Sequence, residues 1–102
     1  MAPRKHFLSQ LDQMYQDVLK MGALVEEALK KGVSSLASGD YELADEVLRG
    51  DQVIDDMQIQ IENHCTELLA TQQPVATDLR EILTTIRIVD DLERMGDHAR
   101  HL

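Results

Sequence analysis

Apolar residues recur along the chain at alternating steps of four and three: Phe7, Leu11, Met14, Val18, Met21, Val25 and Ala28 in a first run. That spacing lays one stripe along an α-helix. The run closes at Ser38-Gly39-Asp40, where glycine stops a helix and Asp40 is placed to cap the next. A second run follows at Leu43, Val47, Ile54, Met57, Ile61, Cys65 and Leu68, with Gly50 standing where the seam asks for another apolar side chain. Glycine there costs about 1 kcal/mol relative to alanine, so close approach of a neighbouring helix is its expected reason. Thr71-Gln72-Gln73-Pro74 is the second break, and Pro74 suits the first turn of a third helix. The third seam reads Val75, Leu79, Ile82, Ile86 and Val89.

No stretch alternates at period two, so no strand is expected. The pattern predicts helices over about 5–37, 40–71 and 74–101, forming a single domain over residues 1–102. Two tight connections between helices of roughly 30 residues force antiparallel neighbours. The expected fold is all-α, an up-down-up antiparallel three-helix bundle with long helices.

The third helix changes character near its end. Continuing its seam beyond Val89 by four and three leads to Glu93 and Gly96, while Asp90, Asp97 and His101 fall on the same side. At about 100° per residue, Glu93 and Asp97 project within about 40° of one another. Ile88, Leu92, Met95, Ala99 and Leu102 are expected to take over as an apolar stripe on a different side. The second helix has a counterpart in Asp51 and Asp55, extended by Gln58 and Glu62. For straight antiparallel helices joined near residues 71–74, positions summing to about 145 share a height. Asp51 is then level with Arg94, and Asp55 with Asp90; Glu26 and Glu27 of the first helix reach the same layer. So many like charges at one level need a neutraliser: Arg94, shared protons or a cation. Carboxylates at this spacing suit hard or borderline cations. A solvated acidic face is the competing reading, and spacing alone leaves both open.

Composition sharpens this picture. The chain of 102 residues has a formal net charge of −9, which disfavours nucleic acid and anionic membrane surfaces and favours cations or basic partners. Aromatic residues make up 3%, too few for a base-stacking surface. The one cysteine, Cys65, continues the apolar seam and reads as a small buried residue in a reducing compartment. There is no long apolar run and no signal-peptide core at the N-terminus, so a cytoplasmic protein without membrane insertion is expected.

Single residues weigh less. Arg94 is expected to form a structural ion pair within the acidic group, or else to meet a partner. Asp78 suits the start of a helix. His98 points away from Glu93 and Asp97, whereas His101 can approach Asp97 at i+4. No Gly-rich phosphate loop, Ser-His-Asp order or Glu-x-x-His pair on two helices is present, so catalysis finds little support. A carboxylate-bridged metal hydrolase or oxidase, and a purely structural bundle, are the alternatives to a binding protein.

Asp91-Leu92-Glu93-Arg94-Met95-Gly96-Asp97-His98-Ala99 resembles the signature of the PhoU family, regulators of bacterial phosphate transport. Gln73-Pro74-Val75-Ala76-Thr77-Asp78-Leu79-Arg80 resembles that family's upstream signature, and Asp51-Gln52-Val53-Ile54-Asp55 its other acidic motif. Arg4, Phe7, Leu11, Met21 and Gly22 fit the family's usual opening. The resemblance covers nearly the whole chain and implies a three-helix bundle per repeat. It implies metal ligation by Asp51, Asp55, Glu93 and Asp97, with iron, zinc, nickel, manganese or magnesium as the ion; Asp90 is added to that set from the helical wheel. It also implies a non-enzymatic role: restraining the phosphate ABC transporter and its sensor kinase when phosphate is plentiful. The implied partners are the transporter's ATPase subunit and the sensor histidine kinase. Members usually carry two such repeats. One is seen here, from a single-repeat relative or a piece of a longer chain, and self-association that restores a six-helix arrangement is expected.

Overall fold

The computed structural model of the chain describes residues 3–71 and 76–101. They form three helices: α1 (Pro3–Ser38), α2 (Tyr41–Thr71) and α3 (Ala76–Arg100). Each packs against both others, in a rod of 56 × 21 × 15 Å. The long dimension matches a helix of α1's length at about 1.5 Å per residue. The all-α antiparallel bundle expected from the heptads is the observed fold. Pro74 and Val75 lie outside the described residues.

The first turn between helices is built as its residues dictate. Gly39 takes a positive φ of 71°, and its N–H donates to the Ser35 carbonyl at 2.8 Å. Such a left-handed residue closes a helix at little steric cost when it is glycine. The Asp40 carboxylate then accepts from the Leu43 N–H at 3.1 Å, capping α2.

The seams of α1 and α2 are buried as the spacing requires. Phe7, Leu11, Met14, Met21, Val25 and Ala28 meet Val47, Ile54, Ile61, Cys65 and Leu68. Each fully buried aliphatic side chain of this kind contributes about 1.5–3 kcal/mol relative to exposure. Met14 Sδ lies 3.3 Å from Cys65 Sγ in the centre.

The seam of α3 differs from the expectation. Its buried residues are Asp78, Ile82, Thr85, Val89, Gly96 and Ala99, with Leu92 partly buried. The four-and-three rhythm therefore runs unbroken to the end of the helix. Leu79, Ile88 and Met95 are exposed instead, so no second apolar stripe takes over. Large side chains beside the true seam drew the sequence reading around the helix, because the seam itself uses a threonine and a glycine. Thr85 is tolerated there because its hydroxyl donates to the Glu81 carbonyl at 2.9 Å within the helix. Glu93 and Asp97 consequently flank the core at the α2 edge; they do not replace it.

Glycine has the opposite distribution from that expected. A methyl group built at Gly50 meets nothing within 4 Å, and Gly50 lines a hollow of about 180 Å³ between α1 and α2. The close approach is at Gly96, where a methyl group would stand 3.4 Å from Ile54 Cδ1 and 3.8 Å from Val25 Cγ2. A methyl group at Gly96 would be in ordinary contact with Ile54 and Val25, so this position of α3 sits directly on α1 and α2 beside the acidic motifs. Among the described residues, no helix is long and apolar enough to cross a membrane.

Candidate functional site

Asp51 and Asp55 stand one turn apart on α2, and Glu93 and Asp97 one turn apart on α3. The bundle brings these two pairs together. Asp51 is buried, 8% exposed, and the other three carboxylates are half-buried. Burial holds the Asp51 carboxyl above the usual range; the charges of Asp55 and Asp97 add to this, while Arg100 and His101 oppose it. Burial likewise raises Glu93, reinforced by Asp55, Asp97 and Asp51 and opposed by Arg100. Each acidic motif is therefore within electrostatic reach of the other.

The register differs from the sequence estimate by about one turn. Asp51 meets Asp97 and Arg100 rather than Arg94, and the strongest charge felt by Glu93 is that of Asp55. The estimate rested on an assumed centre for the connection and on straight, evenly rising helices, whereas the contacts of Asp51 and Glu93 set the register directly. The correction improves the match, since each motif now lies opposite the other.

Arg100 is the cation of this group. Its Nη2 donates to Asp97 Oδ1 at 2.8 Å, and its Nε lies 3.8 Å from Asp51 Oδ2. Sequence reading missed it, although its i+3 spacing from Asp97 was available as a signal. Arg94, the expected neutraliser, pairs with Asp91 on its own helix and is exposed. His101 Nδ1 lies 2.8 Å from the Asp97 carbonyl oxygen and 3.7 Å from its carboxylate. His98 is exposed.

Asp90 belongs to a neighbouring acid pair. Gln58 Nε2 donates to both Asp90 Oδ1 and Glu62 Oε1, at 3.3 Å each. Burial raises the Glu62 carboxyl, and the neighbouring Asp90 carboxylate raises it further. The charge of Glu93 also reaches Glu62, so the acids form one continuous stripe along the α2–α3 edge. Glu26 and Glu27 do not join it. They pair with Lys30 and Lys31 at 3.2 Å each, and Lys31 also reaches Glu46 at 3.3 Å.

As a cation site the arrangement fits in donor chemistry and in charge. Four carboxylates from two helices share one partly buried flank with one arginine between them. Oxygen donors of this kind suit hard or borderline ions. Among the described residues, no group of three or more His, Cys, Asp or Glu side chains is close enough to hold a metal ion as they stand. Ligation would require the carboxylates to turn inward, with Arg100 released from Asp97 and Asp51.

Comparison with known proteins bears on the same residues. The family model described as PhoU domain matches residues 18–102, which include both acidic motifs. The phosphate-specific transport system accessory protein PhoU homolog of Clostridium acetobutylicum is 45% identical over 97 residues, covering 94% of this chain and 44% of that protein. The accessory protein PhoU of Serratia marcescens is 37% identical over 93 residues, covering 91% and 38%. The crystal structure of PhoU from Pseudomonas aeruginosa superposes with a TM-score of 0.90 at 38% identity, over 92% of this chain and 45% of that one. The chain spans less than half the length of the curated relatives it matches. A family match over most of the chain, joined to the same bundle in a solved relative, establishes that this chain is a member of the PhoU domain family.

Proposed function

We propose that the chain is a regulatory module of phosphate transport whose α2–α3 acidic edge binds a metal ion. Asp51, Asp55, Glu93 and Asp97 would hold the ion, with Asp90 and Glu62 extending the edge. The observation that carries this reading is the opposition of the two acidic motifs across α2 and α3. Like charges at such an edge are costly in the folded state unless a cation offsets them. Iron, zinc, manganese, nickel and magnesium are the candidate ions. A bound ion would supply positive charge there and tie α2 to α3, a structural or sensing role rather than turnover.

Relatives matched over most of this chain are named accessory proteins of the phosphate-specific transport system. The module accordingly acts in the cytoplasm by contact, restraining the phosphate ABC transporter through its ATPase subunit and signalling through the sensor histidine kinase. Self-association through the bundle's outer faces belongs to the same reading. Pull-down of the purified ATPase subunit and kinase, with the module metal-loaded or metal-stripped, tests it. Binding to at least one of them that weakens on stripping is expected; no binding to either in both states contradicts it.

A further inference from the structure

Lys31, Arg49 and Arg94 all pair with acids outside the two acidic motifs: Lys31 with Glu27 and Glu46, Arg49 with Asp45, and Arg94 with Asp91. Arg100 differs. It is the last residue of α3, and it touches one carboxylate of each motif. Its Nη2 holds Asp97 Oδ1 at 2.8 Å on its own helix, and its Nε stands 3.8 Å from Asp51 Oδ2 on α2. Burial sets the second contact apart. The Asp51 side chain is 10% exposed, against 60% and 53% for the acids that Arg49 and Arg94 hold. Water and salt screen such a pair less than they screen pairs on the surface.

This contact spans the gap that a bound ion would span. The two motifs need positive charge between α2 and α3, and in the cation-free chain Arg100 supplies it. Its charge opposes the raised proton affinity of both Asp51 and Glu93, so it is felt on both helices. Arg100 is also tied to the helix end. The Asp97 carbonyl oxygen accepts from the His101 N–H at 3.2 Å, so the residue that holds the guanidinium also closes α3.

We propose that Arg100 is a built-in competitor of the metal: it stands in for the ion across Asp51 and Asp97, and loading expels it. The inference rests on the metal reading of the α2–α3 edge and deepens it by naming what sets the affinity. Turning Asp51 and Asp97 toward a shared ion breaks both contacts of Arg100. A guanidinium left within about 4 Å of those oxygens would also repel a divalent ion among them. Loading is therefore an exchange of one cation for another, which keeps part of the negative charge offset in both states. The exchange frees a charged side chain at the end of α3, so that end differs between the loaded and the empty edge.

The test is calorimetric titration with manganese, at one pH and one salt concentration, of wild type, Arg100→Gln and Arg94→Gln. Both variants remove one positive charge from α3, but Arg94 lies outside the contact. Arg100→Gln is expected to tighten binding by about tenfold or more, and Arg94→Gln to change it by less than about threefold. Without metal, Arg100→Gln is expected to melt below wild type, because Asp51 loses its partner. Manganese then raises its melting temperature by more than that of wild type. Arg100→Lys keeps the charge without the planar fork, and its affinity is expected to fall between wild type and Arg100→Gln. Circular dichroism verifies that the variants stay folded. Manganese binding left unchanged or weakened by Arg100→Gln overturns this inference and leaves the metal reading standing. Equal tightening by Arg94→Gln overturns it too, since net charge alone then suffices. No manganese binding by any of these proteins overturns the metal reading together with the inference.

Discussion

Asp51 on α2 and Arg100 on α3 approach to 3.8 Å at the edge of the core, and Arg100 is shared with Asp97 at 2.8 Å. One guanidinium thus serves the buried Asp51 carboxylate and one of three other acids that surround it. The charge at this edge is only partly offset, and the first prediction follows from that. Asp51→Asn removes a buried charge of nearly the same shape while leaving Arg100 its bond to Asp97. Without cation, the variant is expected to be more stable than wild type by about 1 kcal/mol in urea unfolding. A loss of stability would mean that the Asp51–Arg100 pair outweighs the repulsion.

The pH dependence has a definite sign. Asp51, Glu62 and Glu93 all hold their protons more tightly in the folded chain than in ordinary carboxyls, through burial first and neighbouring acids second. Their contribution to stability is fully present below the usual carboxylate range and is lost as pH rises through their raised values. The cation-free protein should therefore melt at a higher temperature at mildly acidic pH than at neutral pH. A melting temperature that climbs steadily to neutrality would contradict the electrostatic picture of the α2–α3 edge.

Two glycines separate packing from propensity. Nothing lies within 4 Å of a methyl group at Gly50, so Gly50→Ala is expected to stabilise α2 by about 1 kcal/mol. At Gly96 the wall of Ile54 and Val25 is already in contact with a single added carbon. Gly96→Leu is expected to cost about 1–3 kcal/mol through overpacking. Chemical unfolding of the two variants checks both signs.

Cys65 reports on the integrity of the core. It is fully buried against Met14, and burial pushes its thiol up to about 11. The thiolate is the reactive species, so labelling in native buffer should be slow and should accelerate in step with global unfolding in urea. Fast labelling of the native protein would reveal local opening of the α1–α2 interface.

The seams of α1 and α2 were legible in the sequence because large apolar residues mark nearly every position, and Gly39-Asp40 carried its own turn chemistry. The seam of α3 was not, because Thr85 and Gly96 occupy core positions while Leu79 and Met95 stand outside. Both acidic pairs could be read from their i, i+4 spacing. Their exact opposition could not, since it depends on the true centre of the connection and on how straight and evenly the helices rise, and a shift of three residues moves each carboxylate a full turn. That same shift hid Arg100 and made Arg94 look central. Asp90 fell on the right flank of the helix but at the height of Glu62, in a neighbouring pair.

The most direct measurement of the central claim is metal bound per chain, by elemental analysis after purification and after reloading with manganese or iron, in wild type and in Glu93→Ala/Asp97→Ala. The double variant deletes the α3 half of the edge from half-buried positions beside the core, and circular dichroism verifies its helix content. A clear fall in bound metal in the folded variant is the predicted result; unchanged stoichiometry would contradict the assignment of the α2–α3 edge as the metal site.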